Sequence, residues 1–168
     1  MQRAVVVLVA LLALPALQAV AHAEGERAAD KGVLGLGIIL GEPTGVTARL
    51  YLKDDQALQA AVGSAFIGNG LQASADYCFH PFILQDKDSF TLPFYVGPGV
   101  RLMEYSAGQY SKSYFAAGLR GVAGLLFDFK TVPLDAFVEV AGVVEYRFQG
   151  GGGGNVALNA GAGLRYYF

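Results

Sequence analysis

Of the 168 residues none is tryptophan, one is cysteine and two are histidine, and each scarcity narrows what the chain can do. Cys78 has no partner for an internal disulfide, even if export into an oxidising compartment permits one. It reads as a small buried residue, with a reactive thiol as the alternative. His22 falls in an N-terminal apolar leader, which leaves His80 as the sole imidazole for acid–base chemistry. There is no His/Cys cluster for a metal, and the acidic turns lack the spacing of a calcium loop. The five glycines from Gly150 to Gly154 lack the Lys-Ser/Thr and the strand-to-helix context of a phosphate cradle, so they read as a surface loop. No cofactor is expected. Charge is also sparse, 12 Lys and Arg against 14 Asp and Glu, with no basic stripe for a nucleic acid. No run of 18 apolar residues occurs beyond residue 23, so a membrane-spanning helix is excluded there.

What is present begins with a leader. Arg3 gives a positive flank, residues 4–17 are apolar apart from Pro15, and Ala21-His22-Ala23 is an A-x-A cleavage site. This is the pattern of a secretory signal peptide over residues 1–23. The alternative, a retained anchor, needs about 20 apolar residues. Cleavage after Ala23 leaves 145 residues (168 − 23) and shifts the net charge from −2 to −3 by removing Arg3. A short polar lead, 24–32, precedes a single domain over 33–168. No cysteine follows the cleavage site, which argues against a lipoprotein.

The domain divides into eight alternating segments separated by turn chemistry. Strands are expected at 33–41, 45–52, 57–67, 70–82, 90–105, 113–129, 134–149 and 155–168. In the second, Val46, Ala48, Leu50 and Leu52 alternate with Thr47, Arg49 and Tyr51; in the seventh, Leu134, Ala136, Val138, Val140, Val144 and Tyr146 alternate with Asp135, Glu139, Glu145 and Arg147. Period-two alternation gives each strand one apolar and one polar face without saying which points inward. The polar faces carry isolated charges among Gly and Ala, unlike a solvated surface. Aromatics on the apolar faces gather at strand ends: Tyr77, Phe79, Phe94, Phe127, Phe129, Tyr166 and Phe168 at one, Phe66, Phe115, Tyr146 and Phe148 at the other. Two such belts around an aliphatic band suit a barrel in a bilayer. Lipid in turn forces closure, because unpaired edge amides are costly there. A soluble lipocalin-like barrel, with the faces reversed, is the runner-up.

The last strand alternates Val156, Leu158, Ala160, Ala162, Leu164, Tyr166 and Phe168 up to the terminus. It resembles the C-terminal strand of bacterial outer-membrane β-barrels. Over nearly the whole domain the chain resembles the small eight-stranded barrels of the OmpA-transmembrane-domain and OmpX-like kind. The resemblance implies an all-β, eight-stranded, antiparallel up-and-down transmembrane barrel behind a cleaved signal peptide, located in the outer membrane. Expected partners are outer-membrane lipid and, during insertion, the barrel-assembly machinery reading Leu164, Tyr166 and Phe168. The surface ligand is unknown, no nucleic acid is expected, and the protein is expected to be a monomer. Both termini and the turns at 53–56, 84–89 and 130–133 then face the periplasm, and the loops at 41–45, 67–70, 106–112 and 149–155 face outward. The segment from Gly37 to Gly45 also looks like the first hairpin of a group of small bacterial barrels with no known chemistry.

An eight-stranded barrel is barely wide enough for its own inward side chains. Those include Arg49, Arg101, Arg120, Arg147 and Arg165, facing Asp76, Asp128, Asp135, Glu139 and Glu145. Buried charges need partners, so an ion-pair network plugging the lumen is expected, with a narrow pore as the alternative. Inward glycines are expected to let the long Arg side chains lie across the lumen. A lipid-modifying enzyme is a further alternative, but His80 stands at the turn end beside Pro81 without a serine clearly placed to pair with it. The expected role is structural or interactive, with no catalytic residue.

Overall fold

The computed structural model describes residues 31–65, 70–105, 114–148 and 153–168. The expected leader, Phe66, the third outward loop at 106–112 and Gly150–Gly152 lie outside them. Eight strands follow in order: β1 (Leu34–Gly41), β2 (Thr44–Lys53), β3 (Gln56–Ala65), β4 (Gly70–Asp86), β5 (Phe90–Tyr105), β6 (Tyr114–Phe129), β7 (Leu134–Arg147) and β8 (Gly153–Tyr167). Each pairs antiparallel with the next, and β8 returns to β1, so the sheet closes into an up-and-down ring. Closure leaves no free strand edge along the length shared by neighbouring strands. No helix among the described residues is long and apolar enough to cross a membrane, which says nothing of strands.

The register fixes the geometry of the ring. From Gly35 the partners run Arg49, Gln59, Asp76, Gly99, Arg120, Val143 and Ala157. Continuing the β8–β1 register, in which Gly41 faces Gly161, sets Ala157 level with position 45, ten residues along β1 (45 − 35 = 10). Eight strands with that stagger tilt by about 40° to the axis. The row is wholly inward-facing and winds around the lumen like a thread.

Both chain ends of the described ring sit together. Phe168 donates its N–H to the Leu34 carbonyl (3.0 Å), Tyr167 to Pro133 (2.8 Å) and Tyr51 to Val33 (3.0 Å). This turn end also carries the 54–55, 87–89 and 130–133 connections; the opposite loop end carries 42–43 and the three connections that reach outside the described residues. In the first hairpin the Thr44 hydroxyl accepts from the Gly41 N–H and donates to its carbonyl, both at 3.0 Å. Gly41 has φ +127°, and a Cβ there would stand 2.3 Å from the Ala160 carbonyl oxygen, so only glycine suits the position.

Strand positions match the alternation closely, with two differences. β4 runs to Asp86 instead of ending near 82, through irregular register at Phe79/Phe82 and Ile83/Gln85. Phe82 stacks on Phe94 across the pair at 5.3 Å and 7°, so ring contact carries the hairpin past the point where β3 stops. The glycine-rich loop is also shorter, because Gly153 and Gly154 belong to β8 opposite Arg147 and Tyr146.

Candidate functional site

The faces divide as alternation demands. Leu36, Ile38, Leu40, Val46, Leu119, Val140, Val144 and Leu158 are exposed on the outside, while Arg49, Arg101, Arg120, Asp135, Glu139, Glu145 and Arg165 are buried inside. Outward rings cluster at the two ends. Tyr77–Phe79, Phe82–Phe94, Phe90–Phe127 and Tyr166–Phe168 pair at the turn end, and Phe115–Phe148 and Tyr146–Phe148 at the loop end. This is the reverse of a soluble barrel with an apolar cavity and a charged exterior.

Among the described residues polar side chains concentrate in the lumen, and its lower part is a single connected network. Arg165 donates through Nε to both oxygens of Asp135 (3.0 and 3.2 Å) and through Nη1 to Gln59 Oε1 (2.8 Å). Tyr167 donates its hydroxyl to the same Asp135 at 2.5 Å. Gln59 Oε1 also accepts from Arg49 (3.1 Å), while its Nε2 donates to Glu139 at 2.6 Å. A neutral amide thus receives two cations on one end and gives a hydrogen bond to an anion with the other. Glu139 is the hub: it accepts from Gln59, from the Tyr95 hydroxyl (2.7 Å) and from Arg120 (2.8 Å). Arg120 then reaches Asp76 through Nε at 2.8 Å. Charge-assisted bonds of this kind are among the stronger ones available to side chains.

Aromatic rings pack among these charges in the turn-end half of the lumen. The Arg49 guanidinium lies 4.7 Å from the Tyr95 centroid and 5.4 Å from that of Tyr51, and that of Arg165 lies 4.1 Å from Phe137. Such contacts stabilise a desolvated cation by roughly 2 kcal/mol. Each of three inward rings rests on a glycine directly opposite in the sheet. Tyr95 faces Gly124, Phe137 faces Gly163 and Tyr167 faces Gly35. A Cβ on those glycines would come within 2.4, 2.6 and 2.7 Å respectively of ring atoms. The expectation that inward glycines clear room for arginines is therefore corrected at these three positions: they seat aromatic rings, because a flat ring needs the width a Cβ would fill.

The ten expected network residues fall into separate groups. Asp76, Arg120, Asp135, Glu139 and Arg165 make the lower ion pairs. Arg101 and Glu145 pair at 3.2 Å nearer the loop end, with Asn155 donating to Glu145 (3.1 Å) and Glu42 3.9 Å from Arg101. Asp128 pairs with Lys31, which also donates to the Leu134 carbonyl (2.9 Å), at the turn-end rim. Arg147 stands at the loop end of β7 opposite Gly153. Arg49 departs from the expected cation–anion pairing: its hydrogen bonds go to neutral Gln59 and to His80 Nε2 (2.7 Å), because aromatic faces and an amide already surround it. A guanidinium only donates, so His80 accepts at Nε2 and keeps its proton on Nδ1, 3.1 Å from the Asp55 carbonyl. Both ring nitrogens are thereby engaged, and His80 ties β4 to Arg49 and to the β2–β3 turn. Leu164, Tyr166 and Phe168 stand exposed on the outer face of β8 and at its end.

Sequence reasoning passed over Gln59, Tyr95, Phe137, Tyr167, Gln72, Asn159, Glu42 and Lys31. A signal existed for most of them: on each strand they share the odd or even count of the inward charges. Among the described residues no group of three or more His, Cys, Asp or Glu is placed to hold a metal ion. A scan against protein-family models, a search of curated proteins and a search of solved structures each found no match to the chain.

Proposed function

We propose that the protein is a small barrel of the bacterial outer membrane, with a structural or surface-interaction role and a lumen closed by its own ion pairs. The carrying observation is the outward apolar band, exposed on every strand from β1 (Ile38) to β8 (Leu158) and bordered at both ends by aromatic pairs. A water-soluble monomer rarely exposes a contiguous apolar patch beyond several hundred Å², whereas lipid requires one. The closed ring satisfies backbone groups that a bilayer would leave without partners. The inward network supports a plug over a pore, since its guanidiniums and carboxylates hold one another within hydrogen-bond distance across the narrow bore. Leu164, Tyr166 and Phe168 supply the terminal signature for the assembly machinery, and the signal peptide supplies export. No catalytic role, cofactor or nucleic-acid partner is included in this reading.

Cell fractionation combined with unheated and boiled samples on a denaturing gel tests residence. The protein is expected in the outer-membrane fraction, with a heat-dependent mobility shift. Recovery as a soluble periplasmic protein without a shift overturns the proposal. In a planar bilayer the purified barrel is expected to conduct little or nothing; a steady, large, ion-selective conductance assigns a channel instead.

A further inference from the structure

The lumen is not filled evenly. Toward the turn end its bulk comes from Tyr95, Tyr167, Phe137 and Leu126, all at most 2% exposed. One inward row further toward the loop end, the partners run Gly37, Thr47, Ala61, Ser74, Arg101, Gly118, Glu145 and Asn155. This row has no ring in it, and several of its side chains are small.

Unpaired polar atoms collect there. Gln72 has no exposure, yet neither its Oε1 nor its Nε2 has a hydrogen-bond partner among the described residues. Asn159 Oδ1, Arg101 Nε and Arg120 Nη1 are buried and unpaired as well. Roughly 90% or more of buried polar groups in folded proteins find a partner, protein or ordered water, so an amide open at both ends beside three further orphans needs partners other than the described protein atoms. Arg49 Nε and Arg165 Nη2 are also unpaired in the lower half, but those guanidiniums lie against Tyr95 and Phe137, whose π-faces meet the cation.

The chemistry of the orphans selects the guest. Gln72 offers an acceptor and two N–H donors, Asn159 an acceptor, Arg101 and Arg120 donors. The charges balance over the lumen as a whole: Arg49, Arg101, Arg120, Arg147 and Arg165 stand against Glu42, Asp76, Asp135, Glu139 and Glu145, with Arg101 3.2 Å from Glu145 and Arg120 2.8 Å from both Asp76 and Glu139. Donors and acceptors without a surplus of either charge favour molecules that are uncharged and do both. Water is the smallest of these, and it commonly bridges such groups.

We propose that the half of the lumen on the loop side of Arg120 and Asp76 is a chamber that takes up water and small uncharged hydrogen-bonding solutes, and that the aromatic half below is sealed to them. The inference rests on the closed ring and leaves membrane residence aside, so the two can fail separately.

The chain carries its own pair of reporters. Ser74 and Cys78 are on the same face of β4, one at the chamber and one in the aromatic half, where Cys78 is fully buried in the core cluster. The folded barrel, verified by its heat-dependent gel shift or, failing that, by β-sheet circular dichroism, is treated with uncharged methyl methanethiosulfonate. Labelling is followed by mass and scaled to the rate on unfolded protein. Ser74→Cys, in a Cys78→Ala background, is expected to label faster than Cys78 of the unsubstituted chain by about tenfold or more, since a sealed thiol reacts only through local opening. A smaller difference overturns the chamber. Gln72→Cys in the same background replaces Ser74→Cys should that variant fail to fold. The ammonium- and sulfonate-bearing analogues, each scaled to its own rate on unfolded protein, are expected to label the chamber thiol more slowly than the uncharged reagent. Faster labelling by either overturns the choice of an uncharged guest in favour of an ion site.

Discussion

The two halves of the lumen face the same problem, charges confined in a narrow ring, and handle it differently. In the turn-end half, charge is diluted by neutral groups. Gln59 stands between two arginines and Glu139, tyrosine hydroxyls donate to Glu139 and Asp135, and rings cover the guanidinium faces. In the loop-end half, Arg101, Glu145 and Asn155 form a short chain, and the Gln72 amide beside it has no hydrogen-bond partner among the described residues. A buried ion pair is favourable only when its remaining donors and acceptors are also satisfied. The lower half meets most of that condition with protein atoms and covers the guanidiniums that keep an open N–H, Arg49 and Arg165, with rings; the upper half leaves a whole amide, Gln72, open without such cover.

The largest effect expected from this contrast is at Glu139. Glu139→Ala removes the shared acceptor of Arg120, Gln59 and Tyr95, breaks the Arg120–Glu139 pair and leaves Arg120 with Asp76 alone. Breaking a buried pair in this way costs about 3–5 kcal/mol. Glu145→Ala removes the partner of Arg101 where water can stand in, so its cost is expected to be smaller, about 1–3 kcal/mol. Urea titration of the folded, fast-migrating gel band compares the two directly. Equal midpoints for both variants erase the distinction between the halves.

The next effect separates ring seating from ion pairing. Gly124→Ala places a methyl group 2.4 Å from the Tyr95 ring, whereas at Gly142 on the outer face a Cβ meets nothing within 4 Å. Overpacking typically costs about 1–3 kcal/mol, so Gly124→Ala is expected to lower the urea midpoint and Gly142→Ala to leave it nearly unchanged. In a Tyr95→Ala background the added methyl at 124 has no ring to meet and its penalty is expected to shrink. A penalty that persists without the ring places the strain in the backbone and removes the seating argument.

How much of this was legible follows from range. Alternation is local, and it located the strands, their apolar faces and the inward arginines from neighbouring residues alone. The pairing of Tyr95 with Gly124, or of Phe137 with Gly163, depends on register between strands. The sequence holds both members without stating that they meet. Lys31 stands before the first strand and meets Asp128 only because the ring closes. Arg49 was readable as an inward cation, but its neutral partners were not, because amides such as Gln59 lack the charge that draws attention to a site. The continuation of β4 to Asp86 escaped because Gln85, Asp86 and Lys87 carry turn chemistry, and Phe82 on Phe94 outweighs it.

The smallest expected effect is also the most discriminating one. Tyr95→Phe keeps the ring on Gly124 and over Arg49 and deletes only the hydroxyl that donates to Glu139 at 2.7 Å. Glu139 retains Arg120 at 2.8 Å and Gln59 at 2.6 Å, so its charge stays compensated. A hydrogen bond to a charged group contributes about 1.5–3 kcal/mol, and the lower end applies where two other donors remain. If the hydroxyl serves only to complete the lower network, the urea midpoint falls modestly and the bilayer conductance stays near zero. If conductance appears instead, the hydroxyl is holding Glu139 across the bore, and the seal depends on one hydrogen bond more than on the aromatic rings. The comparison of the halves would then turn on a single oxygen atom, because the rings are unchanged in the variant.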